Sequence, residues 1–355
     1  MRIGVAAETK PGERRVALVP RDVLSLSTDG QQLSIQSGAG SGTGYSDDDY
    51  RDAGARVVDA DQVWQNDLVV KVKELQDVDF AHVVPGQAVF GYHHLTGHPA
   101  HARRLLASGI TAIAYEAVRD ASGGFPLLAP MSVIAGRMAV RVAARALGRV
   151  PRDVLVLGAG HAGNSAADAA RAAGARVTQL RRATATAEAV ERSALQADLV
   201  VGAAFTAGER TPKLLPRPLV ARMKRGSMIV DISIEEGGVA ETSRATSHVD
   251  PTYVEEGVIH YAVPNMPSAV PREAAEAISA AVMPYARALA SKGIALALLQ
   301  DAGLRAGVLA WRGRCNQQGL AREAGVPYAP VSDLELRALN QVSADGRPGA
   351  SGCGG

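Results

Sequence analysis

The sequence predicts an α/β protein of two Rossmann-like domains, each a doubly wound parallel sheet, with a cleft between them. Three observations carry this prediction. A chain of 355 residues exceeds what one ordinary core organises, so two domains are expected. Short apolar runs alternate with polar, helix-patterned spacers, the signature of strands joined by crossover helices. A glycine-rich turn, Gly158-Ala159-Gly160-His161-Ala162-Gly163, falls between an apolar run and an alanine-rich stretch, where a dinucleotide-binding βα turn belongs.

The elements follow in order. Met1-Arg2-Ile3-Gly4-Val5 reads as a first strand, and residues 68–73, 87–90 and 110–115 are the clearest strands after it. Across 130–147 the chain turns to alanine, valine and arginine with no glycine or proline after Gly136, which predicts a helix linking the domains. A second strand series follows at 154–157, 176–178, 199–201, 228–230 and 259–261, with helical spacers between most of them. Residues 273–291 read as a helix kinked at Pro284, and the remainder as helices returning to the first domain. The Gly/Ser-rich tail from Ser343 is expected to be disordered. The predicted domains are 1–130 with 268–340 (substrate, catalytic), 131–267 (dinucleotide-binding) and a disordered tail at 341–355.

Composition narrows the function. The formal net charge is +2 and the basic residues are scattered, so neither nucleic acid nor an anionic membrane is an expected partner. Cys315 and Cys353 are the two cysteines, too few for a disulfide framework, which fits a reducing compartment. The N-terminus carries no secretion-signal pattern, and no apolar run approaches the roughly 18 to 20 residues of a membrane span. A cytoplasmic protein is expected.

The glycine motif has a mechanism at each position. Gly158 permits the tight turn, Gly160 lets backbone approach a pyrophosphate, and Gly163 allows close packing of helix on strand, while the helix N-terminus at His161 and Ala162 attracts phosphate. A NAD site usually has an acid about 20 residues beyond the first glycine. Here Arg181 and Arg182 stand there instead. A guanidinium fork suits a 2′-phosphate, so NADP(H) is favoured over NAD(H). A solvated pair of loop arginines is the alternative.

The chain as a whole resembles the alanine dehydrogenase family, which is related to the transhydrogenase alpha subunit. Matching segments include Glu8-Thr9-Lys10, Glu13-Arg14-Arg15-Val16-Ala17-Leu18, Lys71-Val72-Lys73-Glu74, Ala114-Tyr115-Glu116 and Leu127-Leu128-Ala129-Pro130-Met131-Ser132, with Pro212-Lys213-Leu214, Asn265-Met266-Pro267 and Met283-Pro284-Tyr285 beyond the glycine motif. The resemblance implies that Arg15 and Lys73 bind a 2-oxo acid. Arginine can grip a carboxylate through two hydrogen bonds, and an ammonium can stabilise charge on a ketone oxygen. It makes His94, in His93-His94-Leu95, the acid–base residue, since imidazole titrates near neutrality. His94, His98 and His101 also show metal-like spacing, but Gly97 and Pro99 break a helix through them and no carboxylate joins them, so no metal is expected.

The resemblance further implies that Glu235 assists near the reacting nitrogen. It implies that the dinucleotide is held by Ser132, the glycine turn and the segment containing Val263, Asn265 and Met266. This chain departs from the family in carrying Glu235-Glu236 where an aspartate and a glutamine are usual, and Val133 where a glutamate is usual. The connections into Val154 and after Arg182 also look shorter. The implied reaction is reductive amination of a small 2-oxo acid with ammonia, or the reverse deamination, in a homo-oligomer that the family makes hexameric. Three readings stay open beside it: a specialised NADPH-dependent imine or 2-oxo acid reductase, a dinucleotide-binding protein without turnover, and a soluble transhydrogenase component.

Overall fold

The computed structural model describes residues 1–204 and 210–345. It divides into two compact units, Met1–Leu128 with Pro271–Gly355, and Ala129–Val270. The chain opens with β1 (Arg2–Val5), β2 (Gln32–Gln36), β3 (Arg56–Val58), β4 (Leu68–Val70), β5 (Ala88–Gly91) and β6 (Thr111–Ala114). The second unit contributes β7 (Asp153–Leu157), β8 (Arg176–Leu180), β9 (Leu199–Gly202), β10 (Met228–Asp231), β11 (Thr252–Glu255) and β12 (Val258–Tyr261). The chain then returns to the first unit with β13 (Val308–Trp311) and β14 (Arg314–Cys315).

The first unit holds one sheet in the order β14-β13-β6-β5-β4-β1-β2-β3. From β6 to β3 every neighbour is parallel. Strands β4, β5 and β6 are buried along their whole length, which is why they read as continuous apolar runs rather than alternating ones. Val69, Val89 and Ala112 pack with Leu105, Leu106 and Leu320 into one core cluster. The strand order reverses at β1, which has β2 on one side and β4 on the other. At such a switch point the connections leave in opposite directions and open a crevice at the carboxyl ends of the strands.

The second unit's sheet runs β11-β12-β10-β9-β7-β8, parallel except for the antiparallel edge strand β11. Its switch point lies between β7 and β9, where the glycine motif follows β7. Behind it, the helix Ala129–Leu147 packs closely on the helix His161–Ala172. A Cβ at Gly136 would lie 2.2 Å from the carbonyl oxygen of Ala162, so only glycine allows that approach.

Two expectations are corrected. The segment after residue 300 is not all helix: β13 pairs antiparallel with β6, and β14 antiparallel with β13, so β13 covers a β6 edge that would otherwise expose unpaired backbone. The helix Pro271–Lys292 carries Pro284 in its interior, as expected from the sequence. A sharp turn, 120° into the helix Ile294–Gln300, comes at Gly293, whose φ of 82° is left-handed. Residues 341–345 of the supposed tail belong to the helix Asp333–Asp345; the rest of that tail lies outside the described residues. Among the described residues no single helix is long and apolar enough to cross a membrane.

Candidate active site

In the first unit, Lys73 and His94 follow the carboxyl ends of the neighbouring strands β4 and β5, and Arg15 lies in the segment between β1 and the helix Pro20–Thr28. Arg15 is buried. Its Nε donates to Glu13 Oε1 at 2.7 Å and its Nη2 to Glu13 Oε2 at 2.5 Å, and both side chains are only 1% exposed. A desolvated, two-point pair of this kind is rigid as well as charge-balanced.

Lys73 Nζ lies 3.1 Å from His94 Nε2. Beneath them, the Tyr92 ring stacks on His94 with centroids 5.5 Å apart and planes 17° apart. Lys73 Nζ sits 5.7 Å from the same ring centroid. The Tyr92 hydroxyl is fixed by donating to the Leu127 carbonyl at 2.6 Å. His94 reaches solvent, yet it is closely surrounded by protein; that desolvation, followed by the positive charge of Lys73, lowers its pKa. The neutral ring can then accept from the Lys73 ammonium through Nε2 while Nδ1 carries the proton.

His93 differs from its neighbour. It is 1% exposed, its Nε2 lies 3.4 Å from the Val89 carbonyl, and burial lowers its pKa to about 4. It is a core histidine, and His94 is the one that faces outward.

Sequence reasoning passed over the acids around this site. Glu8 accepts from the backbone of Val72 and Lys73. Glu116 does the same for His93 and His94. Burial raises the pKa of both, opposed for Glu8 first by Lys71 and for Glu116 by backbone N–H donors. Lys71, wholly buried, lies 3.2 Å from Asp79 and 3.8 Å from Glu8. Glu8 and Glu116 stand in family-like segments, but no local pattern marks which backbone a carboxylate will reach.

In the second unit the three glycines have separate tasks. Gly158 has φ 131°, and a Cβ there would lie 2.2 Å from the Ala203 carbonyl oxygen. A Cβ at Gly163 would lie 2.3 Å from the Gly158 carbonyl oxygen. At Gly160 a Cβ would meet nothing within 4 Å. The first and third glycines therefore close the turn on the protein, and the second leaves open space. Gly160 is also the N-cap of the helix His161–Ala172, which no side chain caps, so its first N–H groups suit an anion. This cradle fits a dinucleotide pyrophosphate. Gln179 Nε2 braces it, donating to the Gly158 carbonyl at 3.0 Å and to Asn164 Oδ1 at 2.9 Å.

The remaining sequence candidates lie in the same unit. Ser132 is in the first turn of the helix Ala129–Leu147. Val263 and Met266 are buried beyond β12, with Asn265 between them in a left-handed conformation, φ 53°. Glu235 is exposed on the turn Ile232–Glu236 that follows β10. Its neighbour Glu236 is half-buried, and burial followed by the charge of Glu235 raises its pKa to about 7. Arg181 and Arg182 are exposed just past β8, where the Arg181 N–H donates to Thr184 Oγ1 at 3.0 Å.

The N-terminal-domain description of the alanine dehydrogenase/PNT family matches residues 4–135, and its C-terminal-domain description matches residues 134–318. The chain belongs to this family. It is 38% identical to the alanine dehydrogenase of Halomonas elongata over 369 aligned residues, covering 94% of this chain and 100% of that one. To the alanine dehydrogenase of Mycobacterium tuberculosis it is 39% identical over 370 residues, with the same coverage. A solved L-alanine dehydrogenase superposes with a TM-score of 0.86 at 37% identity, over 91% of this chain and 99% of that one. A transhydrogenase from Sinorhizobium meliloti shares the fold, with a TM-score of 0.80 at 24% identity.

The chain is thus an NAD-dependent amino-acid dehydrogenase, an oxidoreductase acting between an amino acid and a 2-oxo acid with ammonia. The expectation of NADP(H) is overturned, because alanine dehydrogenases use NAD(H). Positive charge after β8 is not enough to define a 2′-phosphate site. Arg181 and Arg182 are exposed turn residues, and solvation accounts for them.

Proposed function

We propose that the substrate pair is pyruvate and L-alanine, interconverted by reductive amination with ammonia and its reverse. When bound at the glycine turn, the dinucleotide supplies or accepts hydride at the substrate carbon. Arg15 holds the substrate carboxylate. Glu13 already holds that guanidinium through Nε and Nη2. The Lys73 ammonium donates to the ketone oxygen and stabilises the charge that develops there. His94 carries the proton that the carbonyl or carbinolamine oxygen needs to leave as water, and recovers it in the reverse direction. Glu235 assists at the reacting nitrogen, and Ser132, Gly158, Gly160, His161, Ala162, Gly163, Val263, Asn265 and Met266 hold the dinucleotide.

The observation that supports this reading most is the 3.1 Å pairing of Lys73 Nζ with His94 Nε2 over a shared aromatic floor. An ammonium beside a neutral imidazole supplies an electrophile and a proton carrier at one point. We further read the chain as a cytoplasmic homo-oligomer, hexameric as the family resemblance implies, whose partners are small molecules rather than nucleic acid or membrane. The net charge of +2 and the two cysteines support this.

The test is NADH oxidation with pyruvate plus ammonium beside a panel of larger 2-oxo acids. Turnover highest with pyruvate, and lowered about 10²–10⁴-fold by His94→Ala, is the expected result. Preference for a larger 2-oxo acid overturns the substrate assignment, and an undiminished His94→Ala variant overturns the proton role.

A further inference from the structure

Each of the three proposed substrate-handling side chains stands on backbone N–H groups captured by a carboxylate. Glu13 accepts from the N–H of Arg14 at 3.1 Å and of Arg15 at 3.0 Å. Glu8 accepts from Val72 at 2.6 Å and Lys73 at 3.1 Å. Glu116 accepts from His93 at 3.0 Å and His94 at 2.7 Å. In every case the pair is the site residue and the residue before it.

The geometry points to Glu8, Glu13 and Glu116 as a set of positioning residues, each holding the backbone under one of Lys73, Arg15 and His94. This rests on the roles proposed above for those three side chains.

The arrangement follows from where the ladders stop. The last rungs near the site are Lys71 N–H to the Phe90 carbonyl and Tyr92 N–H to the Val72 carbonyl, both 3.0 Å. Beyond them the strands part, and the next N–H groups need other acceptors. Glu8 reaches them from the end of β1 beside β4, and Glu116 from the end of β6 beside β5. A carboxylate does more here than a carbonyl can. Glu8 gives one oxygen to each N–H, while Oε1 of Glu13 and Oε1 of Glu116 each hold two consecutive donors, and the carboxylate charge makes those bonds stronger than neutral ones.

That strength has a use at His94, whose φ of 45° is left-handed. A non-glycine residue in this region is costly unless its surroundings impose it. Glu116 imposes it, and so turns the ring toward Lys73. The set is also local in charge. Glu13 grips the Arg15 guanidinium that it seats, and Glu8 lies 3.8 Å from Lys71.

A double-mutant cycle tests this. Glu116→Gln, His94→Gln and the double variant are compared for kcat, for KM of pyruvate and for KM of NADH. Glu116→Gln is expected to lower kcat by about 10–100-fold with KM for NADH unchanged, and to cost nothing further once His94 is gone. An equal loss in both backgrounds overturns the inference, since it would mean that Glu116 supports the fold generally. A His94→Gln variant with full kcat instead overturns the underlying role of His94, and the inference with it. Should Glu116→Gln fail to fold, Glu8→Gln with Lys73→Met reads the same coupling at the second clamp. Glu13→Gln should raise KM for pyruvate more than it lowers kcat, and the opposite split also overturns the proposal.

Discussion

At the scale of single residues, adjacent histidines have opposite fates. His93 points into the core and His94 outward, because β5 ends at Gly91 and the chain turns through a left-handed His94. The consequence for stability has a definite sign. Burial lowers the His93 pKa from 6.5 to about 4, so the unfolded chain binds the proton first. Its contribution is therefore fully present above about pH 6.5 and is lost as pH falls toward 4. The loss is on the order of 3 kcal/mol across that window. Urea unfolding between pH 4 and 7 should show midpoints falling with acidification, and more shallowly in His93→Gln. Parallel curves would mean that other groups dominate.

At the scale of elements, the glycine turn separates three demands that its motif merges. Gly163→Ala pushes a methyl against the Gly158 carbonyl, and Gly136→Ala pushes one against Ala162. Overpacking of this kind should cost about 1–3 kcal/mol in either variant. Gly160→Ala meets open space, so thermal unfolding should change by no more than about 0.5 kcal/mol. Its effect should appear in dinucleotide affinity, as a weaker NADH titration by fluorescence. A Gly160→Ala protein that binds NADH normally would show that the space is not the pyrophosphate's.

Elsewhere in the same unit, Asp198 joins three elements. Its carboxylate accepts from Arg149, from Lys224 and from the backbone N–H of Arg152 and Asp153. These bonds outweigh desolvation and lower its pKa. A depressed carboxylate stabilises the fold above its unfolded pKa near 4 and loses that contribution as pH falls below it. Asp198→Asn should destabilise by about 1–3 kcal/mol and flatten the acid limb of unfolding below pH 4. An unchanged acid limb would show that the four donors are satisfied without the charge.

At the scale of the whole molecule, the two units divide the proposed chemistry. Arg15, Lys73 and His94 belong to Met1–Leu128, and the glycine turn belongs to Ala129–Val270. NADH should therefore protect the second unit first. With NADH at about 100 times its Kd, stabilisation of about 2.7 kcal/mol is expected, and hydrogen exchange should slow most around residues 157–165. Protection confined to the first unit would contradict the assignment of the cradle.

How much of this was legible beforehand depends on the range of each interaction. Strands β4, β5, β6, β7, β9 and β10 announce themselves because a strand buried on both faces must be apolar throughout. Gly158, Gly160 and Gly163 announce the turn because each task is local, completed within a strand and the helix after it. Arg15, Lys73 and His94 are expected through resemblance, since each lies in a short segment that resembles the family.

The tertiary structure alone decided the rest. Glu8 reaches a backbone 64 residues away and Glu116 one 22 residues away, and no periodicity records such a reach. β13 finds its place on the edge that β6 offers, and β14 on the edge of β13. Arg181 and Arg182 looked like a phosphate fork from charge and spacing, yet both stand exposed on a turn. Local sequence thus determined the sheets and the turn, through burial and backbone sterics. The seating of Lys73 and His94 was decided where parallel ladders end and the distant carboxylates of Glu8 and Glu116 take over their N–H groups.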